Sequence, residues 1–130
     1  DIHETLDNFL CSAFPNLYRD RNGSPETTRM CDGFPGIGWF RIIWKLSEKL
    51  ESIILTLPEE ERSWYAAFQV KEKFGTLRYY LCSSTPEMDE AIRSAEEESA
   101  RTCEQCGFEG RLCGIGYVYT SCKFCEDKRK

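Results

Sequence analysis

The sequence predicts an α+β fold in which helices pack on a β-hairpin and a cysteine-rich unit closes the C-terminal end. Three observations predict it: a four-three apolar spacing over residues 39–57, a switch to two-residue alternation over residues 68–82, and two C-x-x-C pairs, Cys103/Cys106 and Cys122/Cys125, separated by fifteen residues. At 130 residues and 15.1 kDa, with 41% hydrophobic and 30% charged residues, the chain is expected to bury one ordinary core. The division expected is a helical and hairpin core over 1–100 and a metal-binding unit over 101–130, together one compact domain.

In chain order, Ile2, Leu6, Phe9, Leu10 and Ala13 recur at helical spacing and predict a helix over 2–13, ended by Pro15. Residues 15–38 follow, with four glycines and three prolines and no period, and predict a long loop of the kind that carries function. Its Gly33-Phe-Pro-Gly36-Ile-Gly38 run lacks the Lys-Ser/Thr of a phosphate loop and reads as a turn. Trp39, Ile43, Leu46, Leu50, Ile53 and Leu57 then form an apolar stripe that Phe40, Trp44 and Ile54 widen, until Pro58 ends the helix. The stripe is too short and too bulky for a coiled coil and is assigned to the core.

The alternation from Phe68 to Cys82, interrupted by Gly75-Thr76, predicts a hairpin. A two-residue turn with Gly75 first places Phe74 opposite Leu77, Glu72 opposite Tyr79 and Val70 opposite Leu81. The other face then carries Lys73 opposite Arg78 and Lys71 opposite Tyr80. Glu72, on the apolar face, is expected to be satisfied by a tyrosine hydroxyl or an arginine. Ser84-Thr85-Pro86-Glu87 opens a further helix with the small stripe Met88, Ala91, Ile92, Ala95 and Ser99, and its many glutamates are expected to neutralise Lys73 and Arg78.

Two thiolates two residues apart can bite one metal from a tight turn, and two such turns complete a tetrahedron of soft ligands. Cys103, Cys106, Cys122 and Cys125 are therefore the expected ligands of one structural Zn²⁺, with Gly107 easing the first turn and residues 111–120 forming a hairpin between the pairs. This is the pattern of a zinc ribbon, or of a treble clef cut short. Four cysteines leave no position for water or substrate, so the metal is read as scaffold; a catalytic zinc or a redox pair is disfavoured, and Cys113 is a spare thiol that can displace a ligand.

Formal charge is −5 overall and pI about 5.0, which disfavours nucleic-acid binding as a property of the whole molecule. The 101–130 segment has six Lys/Arg against four Asp/Glu, with Lys128, Arg129 and Lys130 at the tail. The sole histidine, His3, has no nucleophile placed beside it by any motif, and no enzymatic activity is expected. The role expected is binding of a protein partner, through the 15–38 loop and the acidic helix. The alternative is nucleic-acid binding through Lys71, Lys73, Arg78, Tyr80 and the tail.

The run Val70-Lys71-Glu72-Lys73-Phe74-Gly75-Thr76-Leu77-Arg78-Tyr79-Tyr80, with Gly38-Trp39-Phe40 and the stretch from Arg101 to Cys125, resembles a family of uncharacterised small zinc-ribbon-containing proteins of bacteria and phages. The resemblance covers most of residues 38–125 and brings no catalytic residues. It implies a bacterial or phage setting, in which a small acidic protein acts as a modulator or inhibitor of a host defence protein. The stretch Trp39 to Leu57 is broken by Arg41, Lys45, Glu48, Lys49 and Glu51, and no Lys/Arg-led signal peptide precedes the first helix. No membrane association is expected, and the expected location is the cytoplasm of a bacterial host.

Overall fold

The structure is a computed structural model and describes residues 1–129; Lys130 of the basic tail lies outside the described residues. It is α+β. Helix α1 spans Ile2–Ala13, α2 Phe40–Leu55, α3 Pro86–Ser99 and α4 Lys123–Arg129, with short 3-10 turns at Met30–Asp32, Ile37–Trp39 and Glu59–Tyr65. Two antiparallel hairpins complete it: β1 (Ala67–Lys73) with β2 (Thr76–Leu81), and β3 (Arg111–Cys113) with β4 (Tyr119–Ser121). No helix among the described residues is long and apolar enough to cross a membrane.

The α2 stripe builds the core as its spacing requires: Trp39, Ile43, Leu46, Leu50, Ile53 and Ile54 are all buried, against Leu10 of α1, Val70, Leu77 and Tyr79 of the hairpin, and Met88 of α3. The 15–38 segment departs from the expectation of a free functional loop. Leu17, Tyr18, Thr28, Met30 and Phe34 are buried, so the segment is a wall of the core. It is held by Glu51 of α2, whose carboxylate accepts from Asn16 N at 3.3 Å, Asn16 Nδ2 at 2.8 Å and Leu17 N at 2.8 Å. Those backbone donors have no helix or ladder to join, and the buried acid supplies the missing acceptors.

The first hairpin forms where predicted, but its turn is Phe74-Gly75 and not Gly75-Thr76. Both residues lie in the left-handed region, φ 54° and 84°, as a two-residue turn matched to strand twist requires. Lys73 faces Thr76, Glu72 faces Leu77, Lys71 faces Arg78 and Val70 faces Tyr79. Relative to the expected pairing this is a slip of two residues, which from Gln69 to Lys73 keeps each side chain on its expected face and changes only its opposite number; the register shifts between Ala67 and Gln69. Glu72 is satisfied by neither a tyrosine nor an arginine: its Oε2 accepts from Gly75 N at 2.8 Å and fastens the turn.

Both edges of this two-stranded sheet are covered. The 24–32 segment donates Arg29 N to Phe68 O at 3.0 Å along β1. Along β2, α3 presents Ser99 Oγ to Leu77 N at 2.8 Å and Glu96 Oε2 to Tyr79 N at 3.1 Å. The remaining glutamates of α3 do not reach Lys73 or Arg78. Glu98 pairs with Lys45 at 3.2 Å and Glu87 with Lys49 at 3.3 Å, across an open groove of about 510 Å³ between α2 and α3. The small stripe of α3 brings the two helices together, so its acids meet the lysines of α2.

Candidate metal centre

The four cysteines of the paired motifs converge: Cys103, Cys106, Cys122 and Cys125 place their sulfurs within 4.8 Å of one another. Cys106 Sγ and Cys122 Sγ are 3.6 Å apart. A metal bound by four sulfurs at about 2.3 Å sets a tetrahedral edge of about 3.8 Å, so the cluster already has the dimensions of such a site. All eight cysteines are free thiols, and Cys113, in β3, is not among the converging four.

The first pair lies on a tight turn in which Gly107 N donates to Cys103 O at 3.0 Å and Gly107 takes φ 84°, as the sequence predicts. The second pair does not sit on a matching turn. Cys122 directly precedes α4 and Cys125 lies in its first turn, so the three-residue spacing of a helix, not a second loop, aims both sulfurs the same way. Cys125 N donates to Cys122 Sγ at 3.4 Å. The sequence signal for this helix was the run Lys123 to Arg129, seven residues free of Gly and Pro.

Burial opposes charge on Cys103, but the backbone N–H groups of Cys122, Cys106 and Gln105 outweigh it and bring the thiol down to about 6. Burial, reinforced by hydrogen bonds with Cys122, Cys103 and Cys106, pushes Cys125 up to about 12. Four thiols so close cannot all ionise without a cation, and a divalent ion removes that penalty. The donor set is one that tetrahedral zinc or iron chemistry uses, with every coordination position filled by protein.

The glycine run that reads as a turn is the bed of this site. Gly38 N donates to Glu104 O at 2.9 Å, and Trp39 Nε1 donates to Thr102 O at 2.9 Å. A Cβ on Gly36 would lie 2.5 Å from Glu104 O, and one on Gly38 2.2 Å from Cys103 O. The backbones touch, which only glycine allows. On the other side, Thr120 of β4 donates Oγ1 to Gly75 O at 2.5 Å, and Glu104 Oε2 accepts from Thr120 N at 2.6 Å. The cysteine cluster is thus clamped between the entrance of α2 and the turn of the first hairpin.

Of the expected binding residues, Lys71, Lys73, Arg78 and Tyr80 share the outward face of the first hairpin, with Lys71 directly opposite Arg78, and lie on the side away from the buried Val70, Leu77 and Tyr79. Lys71 Nζ lies 6.0 Å from the Tyr80 ring centroid. The tail is separate from them: Arg129 stacks 3.8 Å over Tyr119 and Lys128 lies 5.4 Å from Phe124. No family model, curated protein or solved structure matches the chain, so its assignment rests on these residues.

Proposed function

We propose that the protein is a non-enzymatic binding protein braced by one structural Zn²⁺ at Cys103, Cys106, Cys122 and Cys125, and that it acts by docking onto another protein. The spacing of the two C-x-x-C pairs, fifteen residues apart, favours zinc for this all-sulfur donor set, and four protein ligands leave no open coordination position, which favours a structural role. A tight turn, a hairpin and a helix carrying the second pair favour the treble-clef-like form of the unit over a ribbon of two matched turns.

The observation that carries the docking role is where the large apolar side chains are left in water. Phe108, Leu112, Ile115, Tyr117 and Phe124 are each more than half exposed, and Ile115 is fully exposed on the β3–β4 connection. Side chains left in water gain nothing from folding, and several of them on one small unit mark a surface for a partner to cover. Of the surfaces that the sequence offered for this role, the 15–38 segment buries Leu17, Tyr18, Thr28, Met30 and Phe34 and leaves Arg19, Glu26 and Arg29 at the surface, while α3 pairs Glu87 and Glu98 with lysines of α2. The resemblance to small bacterial and phage proteins supports a partner in a bacterial host, such as a defence protein that this chain modulates or inhibits.

The test is a nuclease-treated pull-down from bacterial extract with the zinc-loaded chain and with a Leu112→Ser/Ile115→Ser variant. A stoichiometric protein retained by the first and lost by the second, with one zinc per chain in both, is the expected result. Equal recovery by both, or recovery that disappears with nuclease, refutes the reading.

A further inference from the structure

The outward face of the β1–β2 hairpin has charge that the fold does not use. Lys71, Lys73 and Arg78 lie on one side of a two-stranded ribbon, and among the described residues none of them is paired with a carboxylate. Lys71 and Arg78 are direct cross-strand partners. Like charges facing each other weaken a hairpin by several tenths of a kcal/mol, and here no acidic helix offsets it. Asp32, which Gln69 of this face reaches through Nε2 at 3.3 Å, is paired with Arg29 at 3.1 Å. Glu72, the one acid within the ribbon, points to the opposite face and is held by Gly75 N.

Two aromatic rings frame these cations. Tyr80, opposite Gln69, is 42% exposed, with Lys71 over its ring, and Phe74 stands at the turn, 67% exposed, with Lys73 Nζ 5.6 Å from its ring centroid. Cations spaced by two strand residues, about 6.8 Å, alternate with flat rings on the scale of successive nucleotides of an extended strand. Phosphates meet the cations and unpaired bases stack on the rings. A duplex hides its base faces and leaves the rings without a role.

We infer that the outward face of the β1–β2 hairpin is a single-stranded nucleic-acid site, with Lys71, Lys73 and Arg78 on the phosphates and Tyr80 and Phe74 stacking bases. Leu112 of the metal-braced unit lies beside Gly75, so this face and the apolar side chains of that unit adjoin at the hairpin turn.

The experiment is fluorescence anisotropy of the full, zinc-loaded chain with a labelled oligothymidylate of about 15 nucleotides, with a duplex of equal length and with phosphatidylserine vesicles. Three phosphate contacts give a log–log salt slope of about −2, so affinity falls about twentyfold between about 50 and 200 mM salt. The Lys71→Ala/Lys73→Ala/Arg78→Ala variant should lose more than about tenfold at the lower salt, and its slope should approach zero. Tyr80→Ala should weaken binding at least about fivefold and leave the slope unchanged. Should the triple variant fail to keep its zinc and circular dichroism, Lys71→Ala and Lys73→Ala alone should each reduce the slope by about 0.7. No binding to the oligothymidylate at the lower salt, equal binding to the duplex, preference for the vesicles, or a slope that ignores these substitutions would each overturn the inference.

Discussion

The backbone amide of Gly38 donates to the carbonyl of Glu104 at 2.9 Å, and a methyl group on Gly38 would lie 2.2 Å from Cys103 O. The entrance of α2 and the first cysteine turn are therefore in backbone contact, with no flexible side chain between them to yield. Gly38→Ala should destabilise the protein by about 3 kcal/mol or more, since overpacking against backbone has no cheap relaxation. It should also speed transfer of the metal to a chelator, although no ligand changes. A thermal melt and a chromophoric chelator assay read both effects, and unchanged metal transfer in the variant would show that the contact does not brace the site.

The four ligands and the spare thiol make opposite predictions. Cys125→Ala should abolish stoichiometric metal binding and expose the C-terminal unit to protease, because metal binding of this type supplies apparent free energy on the order of 10 kcal/mol to a unit with little core of its own. Within that unit the buried cluster is Cys103, Cys122 and Cys125 themselves. Cys113→Ser should leave one metal per chain, as its sulfur is outside the cluster. Elemental analysis decides both; a metal content reduced equally by either substitution would assign the fourth ligand wrongly.

Phe74 takes φ 54° at the first central position of its turn, a conformation that Asn adopts far more readily than an aromatic residue. Phe74→Asn should raise stability by about 0.5–1 kcal/mol, read from the midpoint of urea denaturation. The pairing with Gly75-Thr76 as the turn predicts the reverse, because Phe74 would then face Leu77 on the apolar side and its loss would destabilise.

What the sequence discloses here depends on whether the signal is periodic or spatial. The α2 stripe and the hairpin alternation are periodic, so burial of Ile43, Leu46, Leu50, Val70 and Leu77 follows from them directly. The register of the hairpin does not: a two-residue slip leaves each face unchanged, so alternation cannot distinguish the two pairings. The cysteine set is legible because metal geometry ties local spacing to a known ligand count. The bed of that site is not, because Gly36 and Gly38 lie far from Cys103 in the chain, and in sequence they read only as a turn; their lack of a Cβ becomes meaningful only when a second backbone arrives. The same holds for Glu51, whose three partners at Asn16 and Leu17 come from a segment without periodicity.

A buried relay of hydroxyls contributes to the loss of stability at alkaline pH. Tyr79 Oη donates to Tyr18 Oη at 2.7 Å, Tyr18 Oη lies 2.6 Å from Ser47 Oγ, and Ser47 Oγ donates to Ile43 O at 2.6 Å. Each oxygen in the series has a partner, and the relay ends on a helix carbonyl that already belongs to α2. Burial, first of all, pushes both phenols well above the ordinary tyrosine value, and Tyr79 is raised further by Tyr18. The native state therefore keeps two protons that the unfolded chain gives up above about pH 10, where free tyrosine ionises. Stability from this pair is complete below that pH and is lost as pH rises through it towards the native values, with a slope of up to about 1.4 kcal/mol per pH unit for each tyrosine. Tyr79→Phe should lower stability at neutral pH by about 1 kcal/mol, for the hydrogen bond to Tyr18, and reduce the alkaline slope by up to about 1.4 kcal/mol per pH unit. Urea denaturation at a series of pH values between about 8 and 11 measures both quantities, and a variant whose alkaline slope equals that of the parent protein would place the titrating groups elsewhere.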